Sequence, residues 1–144
     1  MSHMAQPTPD AAPLFVTELP VRWRDLDAFN HVNNATYLTY LEEARLQWMQ
    51  QVGDCLSETA MPVLAAAELN YRRPIAWPAQ LHVQLYSERL GNSSITLAHR
   101  IVDASDPSRL YCDGRTVMVW TNPTIGKSVP LPTTIRAAAT QADY

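Results

Sequence analysis

A chain of 144 residues with 47% hydrophobic and 17% charged residues is long enough for one domain with a real core, and its composition is ordinary for a soluble globular protein. Its formal net charge of -3 argues against nucleic acid or an anionic membrane as the main partner, so an anionic ligand has to be met by a local basic patch. Two cysteines, Cys55 and Cys112, are too few for a disulfide scaffold and read as free, buried thiols in a reducing compartment.

In chain order, residues 1–13 hold three prolines and few large apolar groups, which predicts a loose arm. This stretch has neither the apolar core nor the basic flank of a signal peptide, and no apolar run is long enough to span a membrane. The expected location is cytoplasmic. Leu14 to Arg24 reads as a strand with Phe15, Thr17 and Leu19 on one face, and Pro20 marks an edge or bulge. Asp25 to Asn34 is a polar turn region. Ala35 to Val52 is the best helix: Tyr37, Leu41, Ala44, Trp48 and Val52 form one apolar stripe, widened by Leu38 and Tyr40, and Gly53 stops it. At 1.5 Å per residue it would run roughly 27 Å.

Beyond the helix the period changes. Met61 to Tyr71 is ambiguous, because its AAAEL run favours helix, but it leads into strands and is read as one. Leu81, Val83 and Leu85 alternate with His82, Gln84 and Tyr86, and Ile95, Leu97, His99 and Ile101 alternate after a Gly91-Asn92 turn. A DASDPS turn, Asp103 to Ser108, leads to a final strand, Tyr111 to Trp120, with Val117 and Val119 on one face. A polar, Ala-rich tail follows, in which Thr133 to Ala142 suits a short helix. The fold class is α+β, an antiparallel sheet of about five strands with one long helix on a face. A second copy is expected to cover an exposed edge or face.

The chemistry concentrates in Arg24 to Arg45, RDLDAFNHVNNATYLTYLEEAR. Asp25, Asp27, Asn33 and Asn34 are all good turn and cap residues, and one of the asparagines can cap the helix at Ala35. One helix start needs one cap, however, so the surplus of Asx residues beside a histidine marks a candidate site. A helix N-terminus offers free N–H groups and the positive end of the macrodipole, which suits a developing oxyanion. An upstream carboxylate can act beside it as general base or nucleophile. With four glycines there is no phosphate loop, and no Ser elbow, Cys–His pair or zinc spacing is evident. If this site is catalytic, a carboxylate is therefore the leading catalyst.

Asp25 to Arg45, DLDAFNHVNNATYLTYLEEAR, resembles the signature of the hotdog-fold acyl-CoA thioesterases of the 4-hydroxybenzoyl-CoA thioesterase type, roughly D-x-D-x-x-x-H-V-N-N-x-x-Y-x-x-Y-x-E-x-A-R. The later ELNYRRP (Glu68 to Pro74) and GNSS segments follow in the family's order, so the resemblance covers about residues 14–125. It leaves the arm, 1–13, and the tail, 126–144, outside. It implies a sheet wrapped around the long helix, a homodimer or homotetramer with sites at the dimer interface, and hydrolysis of an acyl-CoA thioester without a cofactor, coenzyme A being part of the substrate. It places the catalytic carboxylate at Asp27. Where a related branch carries a histidine, this chain has Asn34, which can hydrogen-bond water or the thioester oxygen. His31 joins the candidate catalytic set, although bonding to loop backbone is its preferred role.

The candidate substrate-binding residues are Asn33, Tyr37, Arg72 and Arg73. The two arginines precede Pro74 and suit a clamp on coenzyme A phosphates. Arg89 is a weaker choice, and Ser93 and Ser94 either line the site or form the turn. Glu42 and Glu43 are read as solvated or paired with Arg45. The aromatics Tyr40, Trp48 and Tyr71 are read as core or interface. Two rivals stay open: a hotdog hydratase acting on an enoyl thioester, and a non-catalytic protein that binds acyl-CoA or an acyl carrier.

Overall fold

The computed structural model describes residues 12–141, so the arm expected over residues 1–13 lies almost wholly outside the described residues. The elements run β1 (Phe15–Pro20), a single 3-10 turn (Trp23–Asp25), α1 (Thr36–Val52), β2 (Met61–Tyr71), β3 (Gln80–Leu90), β4 (Ser94–Asp103), β5 (Leu110–Asn122), β6 (Lys127–Ser128) and α2 (Thr133–Gln141). The sheet is antiparallel with strand order β1-β3-β4-β5-β2, and the two-residue β6 pairs with β5. This is the α+β hotdog arrangement that the resemblance implies.

The first strand is shorter than expected. It ends at Pro20, because Arg22 turns to cap the 3-10 turn through Asp25. α1 forms where the stripe predicts, with Tyr37, Tyr40, Leu41, Ala44, Trp48 and Met49 buried. Leu38 is exposed and does not widen the buried face. Gly53 ends the helix at φ 73°, its N–H donating to the Met49 carbonyl at 3.0 Å. Each fully buried large apolar side chain stabilises the fold by about 1.5–3 kcal/mol, and Leu41 and Trp48 of α1 are among the largest of them.

β2 overrides the helical preference of AAAEL. It pairs with β5 from Met61↔Thr121 to Tyr71↔Cys112, with a register shift between Leu64 and Ala66. The ladder satisfies its backbone groups on one side, and tertiary pairing outweighs local propensity. Both cysteines are buried free thiols. The tail is not separable from the core, since Leu131, Ile135 and Ala139 on and before α2 are buried within it. No helix among the described residues is long and apolar enough to cross a membrane.

The core contains an unusual polar pair. Arg45 and His99 are buried, and neither Arg45 Nη1 nor His99 Nε2 has a hydrogen-bond partner among the described residues. Among the described residues Arg45 makes no ion pair with Glu42 or Glu43, which leaves the solvated alternative of the two expected; both glutamates are exposed, and Glu43 accepts from Gln47 Nε2 at 2.9 Å. Burial, helped by the Arg45 cation, holds the His99 pKa down to about 4 from an ordinary 6.5. The unfolded chain therefore binds more protons than the folded one between those two values, and stability falls as pH drops through that window. At 1.36 kcal/mol per unit the full loss is roughly 3 kcal/mol. The urea midpoint is expected to fall steadily from pH 7 to pH 4.5, and His99→Gln to flatten that slope.

Candidate active site

The loop before α1 is built by its own backbone. Asp27 N–H donates to the His31 carbonyl at 2.8 Å, Asn30 N–H to the Asp27 carbonyl at 3.1 Å, and Leu26 bridges to Val32. Asn30 takes φ 63°, a left-handed value that asparagine tolerates. Two bonds then anchor the loop to the rest of the chain: Val32 N–H to the Ile75 carbonyl and Asn33 N–H to the Asp25 carbonyl, both at 2.9 Å.

The two aspartates have different environments. Asp25 is 4% exposed and accepts from the Arg22 N–H at 2.9 Å, the Arg22 guanidinium at 3.0 Å and the Tyr40 hydroxyl at 2.7 Å. Burial pushes its pKa up, but these bonds outweigh burial and hold the carboxyl below the usual range. Burial, and after it the Asp25 carboxylate, raises the Tyr40 hydroxyl. Asp25 is thus a structural knot between the 3-10 turn and α1. Asp27 is half-buried; its Oδ1 takes the Phe29 N–H at 2.8 Å, and Oδ2 has no protein partner among the described residues.

Asp27, His31, Asn34, Tyr37, Arg72 and Arg73 line one cleft of about 420 Å³, together with Phe29 and Tyr71. Six of the seven sequence-predicted site residues therefore meet. Asn33 does not line the cleft; its side-chain oxygen takes the Ala35 N–H at 2.9 Å, an Asx turn just ahead of the helix. α1 itself has no side-chain N-cap. The His31 residue is exposed at the cleft and its imidazole makes no hydrogen bond among the described residues, so the main-chain carbonyl of His31 does the shaping expected of its ring. Tyr37 is buried, and burial above all pushes its hydroxyl up to about 12, so it stays protonated near neutral pH.

At the helix start, Thr36 N–H donates to the Asn33 carbonyl at 2.9 Å and Leu38 N–H to the Ala35 carbonyl at 3.2 Å. The N–H groups of Asn34 and Tyr37 have no protein acceptor among the described residues. The arginine pair divides. Arg72 bonds Asp113 at 3.0 Å from the end of β2, while Arg73 has no ion-pair partner among the described residues. Ser93 lies in the β3–β4 turn and Ser94 opens β4, where its carbonyl accepts from Gly91 N–H at 2.8 Å, and neither lines the cleft.

Two aromatic cleft residues escape the sequence reading. Phe29 sits two residues after Asp27 and is 81% exposed, a large apolar side chain left in water beside a polar loop. Tyr71, read as core or interface, donates its hydroxyl to the Asn34 carbonyl at 3.0 Å. Its place in ELNYRRP beside the arginine pair is the signal that could have found it.

The fold is that of the hotdog thioesterases. The chain belongs to the thioesterase-like superfamily, which matches residues 21–139 and so runs past residue 125 into α2. It is 34% identical over 88 residues to the long-chain acyl-CoA thioesterase FadM of Escherichia coli (strain K12), covering 59% of this chain and 67% of FadM. The PA2801 protein of Pseudomonas aeruginosa superposes with a TM-score of 0.83 at 40% identity, over 88% of this chain and 98% of that one. Slr0204, a 1,4-dihydroxy-2-naphthoyl-CoA thioesterase from Synechocystis, superposes at 0.81 with 21% identity, over 90% of this chain and 98% of its own, and shows the shared fold.

Proposed function

We propose that this chain hydrolyses an acyl-CoA thioester to the free acid and coenzyme A, with Asp27 as the catalytic carboxylate. One observation carries this reading: among the described residues, an Asp27 oxygen without a protein partner lies in the same cleft as the start of α1, where two N–H groups lack acceptors. Asp27 takes a proton from water as the water oxygen adds to the carbonyl carbon. Charge gathers on the carbonyl oxygen and is met by the helix-start N–H groups and the positive end of the helix dipole. The C–S bond then breaks, and the thiolate leaves with the proton held by Asp27. Direct attack by the carboxylate, through a mixed anhydride that water opens, uses the same groups. In this scheme the Asn34 amide and the His31 ring, which line the same cleft, hydrogen-bond the water or the thioester oxygen.

No cofactor enters this scheme. The exposed Arg73 guanidinium is the stronger hold on coenzyme A phosphates, because Arg72 already answers Asp113. Long-chain acyl-CoA is the first substrate class to test, given the likeness to FadM. The experiment is thiol release from short, long and aromatic acyl-CoAs by the wild type and Asp27→Asn. Release that collapses in the variant supports the reading. No release from any thioester would leave a binding protein instead.

A second copy completes the proposal. β2 is an edge strand whose Val63 and Leu64 are 52% and 44% exposed, and Leu64 borders a small hollow with Arg45, Leu46 and Met49 of α1. An exposed apolar edge beside the buried Arg45 Nη1, which has no partner among the described residues, fits an interface between copies. The wild type is expected to sediment as a dimer or tetramer and Leu64→Glu as a monomer; a monomeric wild type would refute this part.

A further inference from the structure

We propose that Tyr71 is a positioning residue that holds the oxyanion-binding end of α1 in register with Asp27; the inference rests on the hydrolase reading above. Its support lies in how the peptides around Asn34 are tied. Asn33 N–H is bonded to the Asp25 carbonyl at 2.9 Å, and the Asn33 carbonyl accepts from Thr36 N–H at 2.9 Å. The next peptide, Asn34–Ala35, is gripped at both ends by side chains: its N–H by Asn33 Oδ1 at 2.9 Å and its carbonyl by the Tyr71 hydroxyl at 3.0 Å. Between these fixed groups the Asn34 N–H is left without a protein acceptor, with Tyr37 N–H as the next such donor.

Three of the four ties come from residues of the same loop or helix start. The Tyr71 tie comes from the end of β2, 37 residues away in sequence. The Tyr71 ring also sets its edge against the Tyr37 ring, with centroids 4.9 Å apart and planes at 78°. Tyr71 thus fixes both the carbonyl before the helix and the ring of its first buried residue. Folding does not require the hydroxyl: Tyr71 is 50% exposed, so water can solvate the Asn34 carbonyl in its absence, and a phenylalanine keeps the ring contact. A reaction that relies on donors aimed at one oxygen does require it, because small misplacements of such donors cost rate steeply.

The test is Tyr71→Phe, read in two ways. In thiol release, kcat is expected to fall about tenfold with KM and the melting temperature nearly unchanged. In amide hydrogen exchange, protection over residues 33–38 is expected to drop while the middle of α1 keeps its own. A higher KM with kcat retained would make Tyr71 a substrate contact and overturn the proposal, as would unchanged kcat. If the wild type releases no thiol, the hydrolase reading itself falls. The exchange measurement then decides the positioning alone, and unaltered protection over 33–38 overturns it.

Discussion

Asp27→Asn is expected to lower kcat for thioester hydrolysis by about 10²–10⁴-fold, the range a positioned general base contributes. The change is nearly isosteric. An amide oxygen can still accept the Phe29 N–H at the Oδ1 position, so the turn through Asn30 and the bond from Asp27 N–H to the His31 carbonyl survive. What disappears is basicity at the other carboxylate oxygen. The melting temperature is therefore expected to hold while turnover collapses, and single-turnover assays are the clean readout. The neighbouring Asp25 cannot substitute, since its carboxylate is buried and already accepts from Arg22 and Tyr40. Retention of full activity by Asp27→Asn would sink the carboxylate mechanism.

Gly114→Ala is expected to be the most damaging single substitution to stability, costing about 4 kcal/mol or more, at the exceptional end of point mutations. Gly114 lies within β5, flanked by Leu69 of β2 and His99 of β4. Its φ of 147° already disfavours a side chain, and a Cβ there would lie 1.9 Å from the Glu68 carbonyl oxygen and 3.0 Å from His99 Nε2. Glu68 belongs to the β2 backbone, so relief requires β2 to lift from β5 along the ladder that ends at Tyr71↔Cys112. Chemical denaturation should show a sharply lowered midpoint or an insoluble protein. Because β2 carries Tyr71 to the cleft, any folded Gly114→Ala should also lose turnover. A denaturation midpoint equal to wild type would show that the two strands can part without cost.

Much of this architecture was legible from periodicity. A helical stripe from Tyr37 to Trp48 and two-residue alternation in β3 and β4 depend on which face meets the core, and burial imprints that directly on sequence. β2 was harder: AAAEL prefers helix locally, and only pairing with β5 makes it a strand. The extent of β1 was overcalled because Val21 to Arg24 continues the apolar–polar alternation, whereas Arg22 reaching Asp25 is a contact that alternation does not encode.

The site divides along the same line. The sequence by itself determined that a carboxylate, a histidine and two asparagines sit ahead of one apolar helix, since that crowding is local and its hydrogen-bonding capacity exceeds what capping needs. It left Asp25 and Asp27 alike by composition, and grouped Arg72 with Arg73 and Asn33 with Asn34. The tertiary structure gave each its partners: Asp25 bonds Tyr40 and Arg22, and Asn33 bonds Ala35, away from the cleft, while Asp27, Asn34, Arg72 and Arg73 line it and Arg72 is paired with Asp113. It also brought Tyr71 to Asn34 across the fold. The physical reason is that a polar side chain's role is set by which partners reach it, and those partners arrive from strands and turns far away in sequence, where no local pattern records them.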